Sequence, residues 1–491
     1  CGWLSRGLGD VYKRQGETGL LSGLLPGPAP KSDDSAAALN TPGDPVRSAI
    51  REIPIAIQPK SFNLDGTQFY PANRAFFEGL GDGSTFADST GLNIPFLPSM
   101  SSDIAPIWNP EAFFNTMVVN GTTWPELEVA PERYRLRFVN AADSRFMNLS
   151  LRKADPAARA EVPFYQIGSE QGLLPQVVRI ETGFATPLPG DGRDVCPGKS
   201  GKNRRDCVAR VPGTFAEQAL LLGPAERPDV IVDFSRLDDG DYVYLVNTAP
   251  DAPFGGFPDV PADPNTTGQV MRFRVNYALS TPGGDPSTPA TLLGLDSDPG
   301  GVPKLGAPDA YQDLALLEAE SADICVTIDP VTGVIDQVGG SVPPDCSGGG
   351  VPFGPKAAVI GINGSNAPTV QLWDDPIEQN PEVNTTEQWE MWNRSADAHP
   401  MHLHLVKFEV VNREDIASGA VRPPEPWEAG WKDTVIAYPG EVTRVKAFFD
   451  IPGLYVWHCH ILSHEDNEMM VPYCVGTPGE DCPAELFDME E

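Results

Sequence analysis

All six histidines of this 491-residue chain lie between His399 and His464, and no other feature limits the fold and chemistry of the chain as tightly. They form two runs, His399-Pro400-Met401-His402-Leu403-His404 and His458-Cys459-His460-Ile461-Leu462-Ser463-His464, with Met469 shortly beyond. Successive side chains on a β-strand point to opposite faces. If both runs are strands, His402 and His404 share one face, His458 and His460 share one face, and Cys459 points the other way. His399, at an odd offset from His402, can turn with Cys459, although Pro400 is expected to break the strand locally. One face then offers four imidazoles. The other offers a thiolate with the imidazoles of His399 and His464.

A His₂Cys set with a long axial thioether is the ligand set of a blue copper electron-transfer centre, because soft thiolate and borderline imidazole suit copper in both oxidation states. Met469 is the axial candidate and Met470 the near alternative. A structural zinc site closes four ligands into one tetrahedron, whereas here the donors are too numerous and fall in two opposed sets. The four-imidazole face suits further copper ions at which dioxygen is reduced. Because Cys459 is flanked by His458 and His460, the backbone itself links the two sites. Glu465, next to His464, is a candidate proton donor, since reduction of oxygen to water consumes protons. The competing reading is a solvated acidic run with Asp466 and Glu468.

From Arg51 onward, short β-rich runs alternate with Gly, Pro, Asn and Asp, at 117–119, 134–139, 230–234 and 242–247, and again at 357–362, 387–392, 401–411, 441–449 and 453–458. This spacing predicts an all-β chain of antiparallel sandwiches. Residues 276–310 are rich in Pro, Gly, Ser, Asp and Thr without periodicity and are the best linker. The expected partition is residues 1–49 as a non-native start and residual linker, 50–275 as one sandwich, 276–310 as linker and 311–480 as a second sandwich that carries the metal ligands.

With 68 acidic against 35 basic residues and a formal charge of −33, the chain repels polyphosphate, which argues against a nucleic-acid partner. No apolar run reaches the roughly 18 residues that cross a bilayer, so no membrane partner is expected. Of the eight cysteines, three local pairs, Cys196 with Cys207, Cys325 with Cys346 and Cys474 with Cys482, could close disulfides. That points to the periplasm or the exterior, with no export signal visible. Residues 1–15 resemble a translated sequencing adapter and are set aside from fold reasoning.

The two histidine runs resemble the third and fourth copper motifs of multicopper oxidases, closest to the branch of bacterial spore-coat laccases and bilirubin oxidases. The likeness extends to Gly430-Trp431-Lys432-Asp433-Thr434, to 220–233, to 167–174 and to 69–71. By that resemblance His399, Cys459, His464 and Met469 hold type 1 copper, His402 serves type 2 copper, and His404, His458 and His460 serve the type 3 pair. The resemblance implies tandem cupredoxin-like Greek-key sandwiches, two of the family's usual three. It also implies a copper-dependent oxidoreductase that oxidises phenols, aromatic amines, bilirubin or another tetrapyrrole, or metal ions, with reduction of dioxygen to water. In the family, a first domain supplies two further His-x-His motifs. The chain has no histidine before His399, so it is expected to be a fragment without that domain, with type 1 copper only and type 2 and type 3 copper awaiting the missing part. The alternative function is a copper-binding electron-transfer module without oxygen-reducing turnover.

Overall fold

A computed structural model describes residues 23–41, 43–70, 103, 111–154, 161–181, 219–257, 261–295, 305–328, 335–337, 343–347, 349–364 and 367–483. Among them the structure is almost entirely β, arranged in five sheets. Two sheets face each other in the N-terminal half. One has the order Leu173–Ile180, Phe164–Gly168, Asp229–Asp233, Arg133–Asn140, Glu52–Phe62, Thr116–Val119, Thr122–Thr123; the other places Leu220–Leu222, Met147–Lys153, Tyr242–Asn247, Gln269–Val275 and Glu126–Val129 side by side. Their inward residues, among them Leu136, Phe138, Phe164, Val230, Leu245 and Phe273, form one closed core.

The C-terminal half packs a seven-stranded sheet against a four-stranded one. The strand Thr385–Asn393 shows why: Glu387, Trp389, Met391 and Asn393 alternate inward while Gln388, Glu390 and Trp392 alternate outward, the period-2 pattern of a sheet with one buried face. It lies between Ala310–Ala319, to which it is parallel, and Glu441–Phe449, to which it is antiparallel. The four-stranded sheet has the order Thr434–Ala437, His399–Leu403, Gly453–Cys459, Met470–Val475, and the histidine runs sit at its centre.

Two expectations need correction. The run 401–411 is not one strand: it divides into His399–Leu403 and Phe408–Asp415, which belong to different sheets. The chain turns at Leu405, which has φ +67°, a left-handed conformation that ends strand geometry. Pro400, in contrast, does not interrupt its strand. Its carbonyl accepts a hydrogen bond from His460 N at 2.7 Å, and a backbone N–H at that residue would point the same way. On that side the ladder begins only at Met401, so the missing donor costs no ladder bond.

The two halves share contacts. Phe146, Leu221, Ala249 and Phe254 of the first sandwich belong to the core cluster of the second. Gly223 marks a close approach, since a Cβ there would lie 3.1 Å from Pro400 Cβ and 3.3 Å from Ile436 and Phe146 atoms. Residues 290–295 pack back onto the first sandwich, with Ala290 and Leu295 buried against Leu25, Ile167 and Ile231. Disulfides join Cys325 to Cys346 and Cys474 to Cys482. The pair Cys196 and Cys207 lies outside the described residues. Among the described residues no helix is long and apolar enough to cross a membrane.

Candidate metal centre

The pairing of His399–Leu403 with Gly453–Cys459 sets Met401 opposite Cys459 and His402 opposite His458. Directly opposed residues on neighbouring strands project to the same face, so this register separates the donors into two pockets. On the core side, the ligand atoms of His399, Cys459 and His464 lie within 4.8 Å of one another and all three residues are buried. On the other side, His402, His404 and His458 form a second such group. The ring of His460 lies 5.1 Å from that of His458 and 5.5 Å from that of His402.

Each donor of the core-side pocket is held differently. Cys459 ends its strand, and its backbone N donates to Met469 O at 3.0 Å. His464 sits on the one-turn helix Leu462–Glu465, with its carbonyl accepting from Met469 N at 3.0 Å. The loop from Cys459 to Met469 is thus closed on itself. Met469 is fully buried in the same core cluster as Cys459, whereas Met470 lies opposite His458 and is half-buried.

The geometry fits a trigonal N₂S site. Cys459 Sγ is 3.7 Å from His399 Nδ1 and 3.9 Å from His464 Nδ1. Metal bonds of about 2.3 Å to sulfur and about 2.0 Å to nitrogen, opened to about 120°, separate the two atoms by about 3.7 Å. Burial pushes the Cys459 thiol far up and the His399 imidazole far down, so both charged forms are costly in this apolar setting unless a cation compensates the thiolate. The outer nitrogens face elsewhere: Ser395 Oγ is 2.7 Å from His399 Nε2, and Glu111 Oε1 is 3.8 Å from His464 Nε2.

In the second pocket His404 Nε2 and His458 Nε2 are 3.2 Å apart, close to the roughly 3.3 Å between two nitrogens on one ion at a near-tetrahedral angle. His458 Nδ1 lies 3.0 Å from Cys459 O and 3.2 Å from Glu465 Oε2. Burial, reinforced by neighbouring imidazoles, lowers His402 to about 3 and His460 to about 4. At neutral pH these rings are therefore uncharged and able to ligate. Burial raises Glu465, but the adjoining imidazoles of His458, His460 and His402 outweigh it and leave the carboxyl below its usual range. Glu465 thus lies against the four-imidazole pocket.

The sequence reading missed several residues at these pockets. Glu111 is buried, carries one carboxylate oxygen with no hydrogen-bond partner, and is pushed well up by burial and by the charges of Asp397, Glu318 and Asp143. It lies far from His464 in the chain, and no local pattern connects them. Asp433 and Thr434, which contact His402 Nδ1, fall within the Gly430–Thr434 motif but carry no ligand signature of their own.

Residues 358–479 match the family model described as multicopper oxidase. The chain is 31% identical over 440 residues to a laccase of Bacillus subtilis (strain 168), covering 87% of this chain and 63% of that protein. It is 30% identical over 429 residues to a laccase of Haloferax volcanii, covering 87% and 52%. To multicopper oxidase LPR1 of Arabidopsis thaliana it is 26% identical over 438 residues, covering 80% and 57%. The fold resembles the crystal structure of the McoA multicopper oxidase of Aquifex aeolicus, with a TM-score of 0.51 at 22% identity, covering 87% of this chain and 66% of that one. The chain thus spans 63% of the Bacillus subtilis laccase and 62% of a Bacillus stratosphericus laccase.

Proposed function

This chain belongs to the multicopper oxidase family, and from that premise we propose that it forms the second and third cupredoxin-like sandwiches, residues 50–275 and 311–480, of a laccase-type oxidase. Copper is the metal that the family implies. When bound, copper supplies one-electron steps, taken from a reductant at the thiolate site and delivered to dioxygen at the imidazole site. In this reading His399, Cys459, His464 and Met469 would hold type 1 copper. His402 serves type 2 copper, and His404, His458 and His460 serve the type 3 pair.

One observation carries the proposal: Cys459 reaches the core-side pocket while both its neighbours turn into the other. The chain's own residues then have defined tasks. Cys459 links the two pockets through one peptide unit on either side. Glu465, 3.2 Å from His458 Nδ1, holds or releases a proton beside the four imidazoles. The burial of Met469 in the same core cluster as Cys459 supports it over Met470 as the thioether that would complete this site.

Asp397, which Glu318 hydrogen-bonds, brings negative charge near Glu111 and so towards His464, which favours a metal ion or a protonated aromatic amine over an anionic reductant. Phenols, bilirubin and other neutral or tetrapyrrole reductants remain within the family's range. The two disulfides support a periplasmic or extracellular setting.

Four further imidazoles complete the trinuclear set in the family, and all histidines of this chain already lie between His399 and His464. The chain by itself is therefore assigned the electron-transfer half of the reaction. Expressing the 491 residues with copper tests this by counting bound ions and following oxygen uptake with a phenol. A thiolate-to-copper visible band with no sustained uptake is expected. Four ions per chain with sustained uptake would refute the incomplete reading, and the absence of the band would refute the type 1 assignment.

A further inference from the structure

Trp431, Lys432 and Asp433 lead into the strand Thr434–Ala437, which is paired with the His402 strand, and each of the three is gripped by the first sandwich. The carbonyl of Trp431 accepts from Ser169 Oγ at 2.9 Å and from Gln171 N at 3.3 Å. Lys432 Nζ lies 2.9 Å from Glu170 Oε2 and 3.1 Å from Glu226 Oε1, all three side chains being buried. Asp433 Oδ2 accepts from Gln171 Nε2 at 2.6 Å and from the Arg227 guanidinium. The approach is tight just before this stretch: a Cβ at Gly430 would lie 3.2 Å from Leu173 O and Leu174 Cδ2, so only glycine lets the segment dock so closely.

The far side of the same segment meets His402. Its Nδ1 lies 2.7 Å from Asp433 O and 3.2 Å from Thr434 Oγ1. A carbonyl can only accept, so Nδ1 carries the proton and Nε2 is left to face the other imidazoles. The Asp433 carboxylate stands 3.7 Å from the same Nδ1, where negative charge strengthens the ring as a donor through Nε2.

We propose that Arg227 and Gln171, on the first sandwich, are positioning residues for the four-imidazole pocket, which hold Asp433 so that it fixes the tautomer and orientation of His402. The two sandwiches are then not merely adjacent: the ligand geometry of one depends on an ion pair anchored in the other. Arg227 is the better handle, because its side chain is 32% exposed while that of Asp433 is only 5% exposed. Removing Arg227 lets water into its place beside the Asp433 carboxylate, to which Gln171 still donates.

The test uses the full chain, nitrogen-15-labelled and free of metal, so that it does not depend on the copper reading. Two-bond proton–nitrogen spectra of the six histidines, with the His402 signals assigned by their loss in His402→Gln, report each tautomer directly. In the unaltered chain His402 should be a single tautomer protonated at Nδ1. In Arg227→Gln, its Nδ1–H should exchange with water roughly tenfold faster or more, the factor expected for loss of a charge-assisted hydrogen bond, and a second tautomer should appear. Arg227→Lys, which keeps the charge, should restore most of the single-tautomer signal, and His399 and His464 should be unchanged in both variants.

Copper titration gives a second readout that rests on the functional reading above. Arg227→Gln should weaken binding at the imidazole pocket by about 10-fold or more and leave the thiolate band unaltered. Unchanged His402 signals in Arg227→Gln would overturn the proposal. So would equal disturbance of His399 and His464, since that marks a general loosening. Absence of the thiolate-to-copper band in the unaltered chain would count against the functional reading alone.

Discussion

Cys459 and His458 are neighbours in sequence that serve opposite pockets: Cys459 Sγ lies 3.7 Å from His399 Nδ1, whereas His458 Nε2 lies 3.2 Å from His404 Nε2. One peptide unit therefore separates a buried sulfur donor from an imidazole cluster. Replacement of Cys459 by Ser should abolish the thiolate-to-copper visible band and leave metal binding at the imidazoles in place, because the strand register that builds the second pocket does not involve the sulfur. Absorption spectroscopy and copper titration of Cys459→Ser check both halves of this expectation.

The two adjacent methionines should behave differently. Met469→Leu conserves volume in the core, costs less than about 1.5 kcal/mol, and should shift the band and the reduction potential of the copper site, which depend on the axial ligand. Met470→Leu, opposite His458 on the half-buried side, should leave both unchanged. Redox titration of the two variants side by side decides the axial assignment.

Glu111 approaches His464 from the first sandwich at 3.8 Å. Because burial keeps the Glu111 carboxyl protonated, Glu111→Gln, which conserves that neutral form, should leave the rate of bleaching of the visible band unchanged for cationic and anionic reductants alike. Stopped-flow absorbance measures it without any need for turnover.

Glu318 gives a pH dependence of stability with a definite sign. Burial, the Asp397 charge and their shared hydrogen bond raise its carboxyl from 4.5 to about 7. The folded chain therefore keeps a proton that the unfolded chain releases above about 4.5. The stabilisation is fully present below that pH and is lost as the pH rises through about 7. At about 1.4 kcal/mol per unit the loss is at most about 3 kcal/mol, and solvent access to this half-buried pair reduces it to roughly 1–3 kcal/mol. Glu318→Gln should flatten the decline in denaturation midpoint between pH 4.5 and 8, as urea titrations at the two pH values will reveal.

Much of the grouping of these side chains into two sets could be read from strand parity. Alternation along a strand is a local rule, so the opposed directions of Cys459 and its neighbours followed from spacing, as did the pairing of His402 with His404. The short β runs at 242–247, 357–362 and 441–449 coincide with observed strands because each is a run rich in apolar and β-branched residues bounded by turn residues. Where a local rule was overridden, a partner strand was responsible. Pro400 stays within its strand because its missing donor lies beyond the first ladder pair, Met401 with Cys459, and the run 401–411 divides because Leu405 turns the chain from one sheet into the other. Glu111 beside His464, Arg227 and Gln171 behind Asp433, and the seating of Gly223 on Pro400 were invisible in the sequence. They join positions remote in the chain, and only the docking of one sandwich on the other decides which side chains meet. Donor types and their facing were thus set by the chain itself, while the charges and hydrogen bonds that tune those donors came from tertiary packing.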